Sequence, residues 1–102
     1  MLLTGEESKI IRQWRIEGDN LILISKREKA HDDWINGVCM INQNMLLTGD
    51  QKGIIRQWRI EDDNLILVSK KENAHDDDIT SLVNLGNGHI ASSSFDNTIK
   101  IW

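Results

Sequence analysis

The chain repeats itself at a fixed offset of 44 residues. Met1-Leu2-Leu3-Thr4-Gly5 returns as Met45-Leu46-Leu47-Thr48-Gly49, residues 10–17 return unchanged as 54–61, and Ala30-His31-Asp32-Asp33 returns as Ala74-His75-Asp76-Asp77. A third, more diverged copy runs from His89 to Trp102. A unit of this length is one supersecondary element that cannot bury its own faces, so neighbouring copies must stack. Met1 aligns with Met45, a position inside the unit, so the repeat is entered part-way through.

Within one period the apolar segments are short, rich in Ile, Leu and Val, and punctuated by Gly, Asn and Asp. That is the pattern of strands and turns. The second copy predicts four strands, at 35–40, 45–48, 54–60 and 65–69, with a charged connector over 70–78. Four strands in roughly 40–45 residues is the period of one propeller blade. The expected fold is therefore all-β: a partial β-propeller of three incomplete blades built from antiparallel, four-stranded-type sheets. Residues 1–30 form an incomplete blade, 31–74 a full one and 75–102 another incomplete one. A closed ring takes about 4–8 blades, so additional blades from the same or another chain are expected. Side chains alternate along a strand. Ile54, Arg56, Trp58 and Ile60 share one face, and Ile55, Gln57 and Arg59 the other. The run Leu65-Ile66-Leu67-Val68 predicts burial on both faces. Gln13 and Gln57 are discordant in such a sheet and are expected as hydrogen-bonded or partly exposed amides, the alternative being a surface left open for a missing or foreign blade.

The net charge is −4, from 12 Lys and Arg against 16 Asp and Glu. An acidic balance argues against a nucleic-acid partner. The apolar runs fall far short of the roughly 20 residues needed to cross a bilayer, and no membrane partner is expected. Cys39 is the single cysteine, so no intrachain disulfide can form. It sits in a predicted strand as a small apolar side chain, and a reducing, intracellular setting, cytoplasmic or nuclear, fits it. Arg12, Arg15, Arg56 and Arg59 form basic rows that Glu17, Glu61 and Asp62 are placed to neutralise.

The segment His75-Asp76-Asp77-Asp78-Ile79-Thr80-Ser81-Leu82-Val83, followed by Ile90-Ala91-Ser92-Ser93-Ser94-Phe95-Asp96-Asn97-Thr98-Ile99-Lys100-Ile101-Trp102, resembles the WD-repeat β-propeller family. The family pattern is a Gly-His pair, three strands, and Trp-Asp closing the third. His75 leads to Trp102, and His31 to Trp58, both over 27 positions. The resemblance implies a buried structural network of His75, Ser92 or Ser93, Asp96 and Trp102. His31, Trp58 and Trp14 hold the matching places in the earlier copies. Those copies also depart from the pattern. Lys52 and Ser8 stand where Asp96 stands, Ala30 and Ala74 replace the Gly, and Arg15 and Arg59 replace the Asp after Trp. The departures put the network in question there, although Trp and His remain.

The resemblance implies a non-catalytic protein–protein interaction scaffold that binds partner proteins or peptides through loops on one propeller face, with no cofactor and no metal. Trp34, Asp50, Gln51, Asp78, Phe95 and Asn97 fall in two loop sets expected to converge on the narrow face. There the aromatics would supply apolar contact and the acids a bias toward basic partners. The alternative is an assembly element whose repeats complete a ring by self-association or with another chain. A further reading takes His31-Asp32-Asp33 and His75-Asp76-Asp77-Asp78 as the start of a metal-dependent hydrolase. It needs more ligands and an oxyanion hole that the sequence does not supply, and the duplication accounts for the recurrence. No enzymatic activity is expected.

Overall fold

The computed structural model describes residues 2–5 and 9–102, with side chains from Lys9 onward. Ser8 and Met1 lie outside the described residues. Among the described residues ten strands follow one another: β1 (Leu2–Gly5), β2 (Ile11–Glu17), β3 (Asn20–Arg27), β4 (Ile35–Asn42), β5 (Met45–Asp50), β6 (Ile55–Glu61), β7 (Asn64–Lys71), β8 (Ile79–Gly86), β9 (His89–Ser94) and β10 (Ile99–Ile101). They form three antiparallel meanders: β1-β2-β3, β4-β5-β6-β7 and β8-β9-β10. The fold is all-β, and the sheets are partial propeller blades, as the period and strand signals predict.

The register repeats with the sequence. Between β2 and β3 the pairing slips after Gln13–Ser25 to Trp14–Leu23, leaving Ile24 as the extra residue of a bulge. Val68 is the extra residue at the same place between β6 and β7. A bulge bends a strand and increases its twist, so each outer strand curls in the same way. Gly53 fixes the turn between β5 and β6. Its φ is +78°, and a Cβ there would meet the His75 carbonyl oxygen at 2.1 Å. Asn97 occupies the matching place in the next copy, also left-handed at φ 69°, a conformation Asn tolerates better than most residues.

The middle sheet is covered on both faces. Towards the first sheet, Ile35, Leu46, Trp58 and Leu65 pack with Ile11 and Ala30. Towards the third, Cys39 and Ile55 pack with Ala74, Ile79, Leu82 and Ile90. Alternation along β6 sends Trp58 to one neighbour and Ile55 to the other. Gly49 permits the second approach, since a Cβ there would lie 2.7 Å from Ile79 Cγ2. The expectation of two-sided burial for the fourth strand needs correction. Leu65 is buried, but Ile66, Leu67 and Val68 are 37–44% exposed. β7 is the outermost strand of its sheet, and Val68 is the extra residue of its bulge. Gln13 is buried and accepts a hydrogen bond from Ser25 Oγ at 3.1 Å, and Gln57 accepts one from Ser69 Oγ at the same distance. Both discordant amides thus have partners.

Candidate functional site

Each of the last two sheets holds a buried chain of polar groups between its connector and its third strand. In the third sheet, His75 Nδ1 lies 2.9 Å from Asp96 Oδ2 and Nε2 lies 2.6 Å from Ser92 Oγ. The Trp102 indole N–H donates to the same Ser92 oxygen at 2.8 Å. The donors assign the proton positions. The indole can only donate, so the Ser92 hydroxyl is free to donate to Nε2, and Nδ1–H is left to donate to the carboxylate. Asp96 Oδ1 accepts from Thr98 N at 2.9 Å and Thr98 Oγ1 at 2.5 Å. The Thr98 hydroxyl foremost, with the Asp76 and Thr98 backbone N–H groups and His75, holds the Asp96 carboxyl well below the usual carboxylate range against the opposing effect of desolvation. Ser93 does not join the chain. It pairs with Thr80 across the sheet.

The second sheet carries the same chain with one part moved. His31 Nε2 meets Thr48 Oγ1, and the Trp58 indole N–H donates to that oxygen at 2.8 Å. His31 Nδ1 lies 2.7 Å from Asp50 Oδ2. Two corrections follow. The network of this copy does not depend on position 52, because Asp50 supplies the carboxylate from the end of β5. Asp50 is also no rim residue. It is fully buried, and its Oδ1 accepts from Lys52 N at 2.8 Å and Ile54 N at 3.1 Å. Burial disfavours its charge, but the His31 bond and the two backbone donors outweigh burial and lower its pKa. The hairpin frame explains how two positions serve. Asp50 N bonds Ile54 O, and Ser94 N bonds Thr98 O, so Asp50 matches Ser94 in frame. A carboxylate at the strand end or two residues later reaches the same imidazole. Sequence comparison at a fixed offset misses this, yet Asp50 is the one carboxylate in the 49–53 turn.

A second repeated device was not read from the sequence. Arg56 donates to the Ala30 carbonyl at 2.9 Å, and Lys100, 44 positions on, donates to the Ala74 carbonyl at 2.7 Å. Each cation ties the connector to the third strand of the blade that follows. Arg56 also lies 3.5 Å from Asp32. Arg15 and Arg59 pair with Glu17 and Glu61 on the surface, where such pairs contribute little. Both imidazoles are buried with both ring nitrogens engaged, which leaves no ring nitrogen facing an external metal or substrate. Trp14 is half-buried in β2.

The remaining rim residues come together in pairs. Gln51 N donates to Trp34 O at 3.1 Å, and Phe95 N donates to Asp78 O at 3.0 Å. The loop before each first strand is thus bonded to the turn between the second and third strands. Trp34 is 44% exposed and Phe95 65%; Asn97 is exposed, and Gln51 and Asp78 are partly so. The Asp78 pKa is raised, by desolvation first, then by the side-chain hydrogen bond and the charge of Asp77, and last by the charge of Asp33. Asp33 and Asp78 belong to different blades, so the acids of two connectors feel one another across the rim.

Antiparallel sheets that repeat every 44 residues and bury each other's faces define a partial β-propeller. Residues 66–102 match the family model described as WD domain, G-beta repeat, which makes the chain similar to WD-repeat proteins. No curated protein matches the chain. WD repeats in general serve protein interaction and scaffolding and are typically non-catalytic.

Proposed function

We propose that the chain is a non-catalytic protein-interaction scaffold that binds basic peptides or protein segments on the rim formed by Trp34, Gln51, Asp78, Phe95 and Asn97. The observation that carries this reading is the pairing of loops at one end of each blade, which presents an exposed aromatic beside acids on adjacent blades. Trp is a frequent binding anchor because it brings large apolar area at low entropic cost. The acids bias encounter toward positive charge, and the aromatics carry affinity. Selection from a displayed library of Lys/Arg-containing peptides tests the reading. Selected peptides should bind at least about tenfold more weakly to Trp34→Ala, a loss of about 1.4 kcal/mol. They should also weaken on Asp78→Lys, with the thermal midpoint nearly unchanged. Peptides indifferent to both substitutions would refute it.

A specific observation favours a second reading, an assembly role. Val83, Ile99 and Ile101 on the outward face of the third sheet are 50–73% exposed. Their counterparts 44 positions earlier include Cys39 and Ile55, which the third sheet buries. The outward face therefore suits a further blade, from the same or another chain. Sedimentation that finds only monomer at all concentrations would exclude self-association as its source.

A further inference from the structure

β7 is the outer edge of a four-stranded sheet, and its two ends carry opposite charge. Asp62 and Asp63 make the hairpin turn that leads into it, both with left-handed φ, and Lys70 and Lys71 close it. Between them runs Asn64-Leu65-Ile66-Leu67-Val68-Ser69, with no charge and no proline. Natural edge strands are commonly blunted by a charge or a proline within the strand; here the charges stand only at its ends. All of β7 except Leu65 is exposed. That exposure belongs to the outer strand and not to an absent neighbour. Leu67 pairs with Trp58 and shares its face towards the first sheet, yet it is 44% exposed. Ile22, the repeat of Ile66, pairs with Arg15 on the face that Ile11 turns to the second sheet, and it is 37% exposed. β3 repeats the charge order more weakly, with a single acid, Asp19, at its turn and Lys26-Arg27 at its end.

We propose that β7 is a dimerisation edge, which pairs antiparallel with β7 of a second copy of this chain about a two-fold axis at Ile66. A two-fold contact uses the same patch on both partners, so the patch must complement itself. The charge order of β7 does so. Antiparallel pairing sets the Asp62-Asp63 end of one strand against the Lys70-Lys71 end of the other, whereas parallel pairing would set like charges together. With Ile66 opposite its own copy, Leu65 stands opposite Leu67 and Asp62 opposite Lys70. Apolar and opposite-charge pairs across antiparallel strands are both stabilising, and strand addition satisfies the backbone groups of the edge. The bulge at Val68 bends the strand, so the ladder is short, over 64–68, and the long lysine side chains span the remainder. Lys70 meets Glu72 at 2.9 Å within the chain, an exposed pair of the kind that contributes little and is readily exchanged. The edge shares no residue with the rim of Trp34 and Phe95, nor with the outward face of the third sheet, so its failure leaves both of those readings untouched.

Sedimentation of the chain over a range of concentrations, with residue-resolved amide exchange at each, tests the pairing. The expected result is a monomer–dimer equilibrium in which exchange over 64–67 slows as the dimer forms. Asp62→Lys with Asp63→Lys, and separately Lys70→Glu with Lys71→Glu, should each weaken the dimer at least about tenfold. Mixing the two variants should restore it, since every pair of facing ends is then unlike. Val83→Glu, on the third sheet, should leave the dimer unchanged. Monomer at every concentration would overturn the proposal. So would a dimer indifferent to both charge variants, or a mixture no tighter than its parts. A dimer lost only on Val83→Glu would overturn it as well, and would move self-association to the outward face of the third sheet.

Discussion

Asp50 holds His31 from the last position of β5, whereas Asp96 holds His75 from inside the following turn. Each buried imidazole needs an acceptor for Nδ1–H, and an unmet buried donor costs about 1–3 kcal/mol. Asp50→Asn, which can turn an amide N–H toward that donor, should lower stability by about that amount in urea melts. An unchanged midpoint would remove Asp50 from the network. The pH dependence follows from the same bonds. Both carboxyls titrate lower in the folded chain than their ordinary value, so the unfolded chain binds more protons in acid. The stability they contribute is complete above the unfolded value of about 3.9 and is lost as pH falls through the lowered folded values. Acid titration of Asp50→Ala should show a shallower fall below about pH 4 than the wild type. Trp58→Ala should cost about 3–5 kcal/mol, since it empties a fully enclosed site; Trp102→Ala should cost less, because Trp102 is partly in solvent. The histidines and tryptophans of these networks were legible from their spacing. Asp50 was not, because alignment at a fixed offset compares positions, and the hydrogen bond depends only on where the carboxylate arrives.

At the scale of elements, the four strands of the second copy were legible from apolar runs and turn residues, each to within a few residues of its ends. The exposure of β7 was not. Four apolar residues in a row say that a strand can be buried on both faces, but its place at the edge of the sheet decides whether anything covers it. The bulges were equally silent, since Ile24 and Val68 look like ordinary strand residues. The shared hairpin frame of β5–β6 and β9–β10 makes the position of the acid exchangeable. Asp96→Ser should destabilise the third sheet, and adding Ser94→Asp should recover at least half of the loss, because position 94 matches Asp50. Chemical denaturation of the single and double variants measures this, and a double variant no more stable than Asp96→Ser would show that the frame does not transfer. Gly53→Ala combines a left-handed φ with a clash against the His75 carbonyl, and strain of this kind costs about 1–3 kcal/mol. Gly18, also left-handed but with open space around its missing Cβ, should cost less on the same change.

Across the whole molecule, the middle sheet draws on two apolar clusters and the flanking sheets on one each. Stability is therefore uneven, with β5 and β6 at its centre and β3 and β10 at its margins. The repeat made stacked units legible. Which faces are covered depended on three-dimensional neighbours that a period alone does not name. The rim proposed for binding sits on loops outside both clusters, so Trp34→Ala should alter binding without unfolding the sheets. Residue-resolved amide hydrogen exchange tests the central claim, that the middle sheet is the doubly covered blade of a stack. The account predicts the slowest exchange in β5 and β6, with a protected Trp58 indole N–H, and faster exchange in β3 and β10. Uniform protection across the three sheets, or strongest protection in β3 or β10, would contradict it.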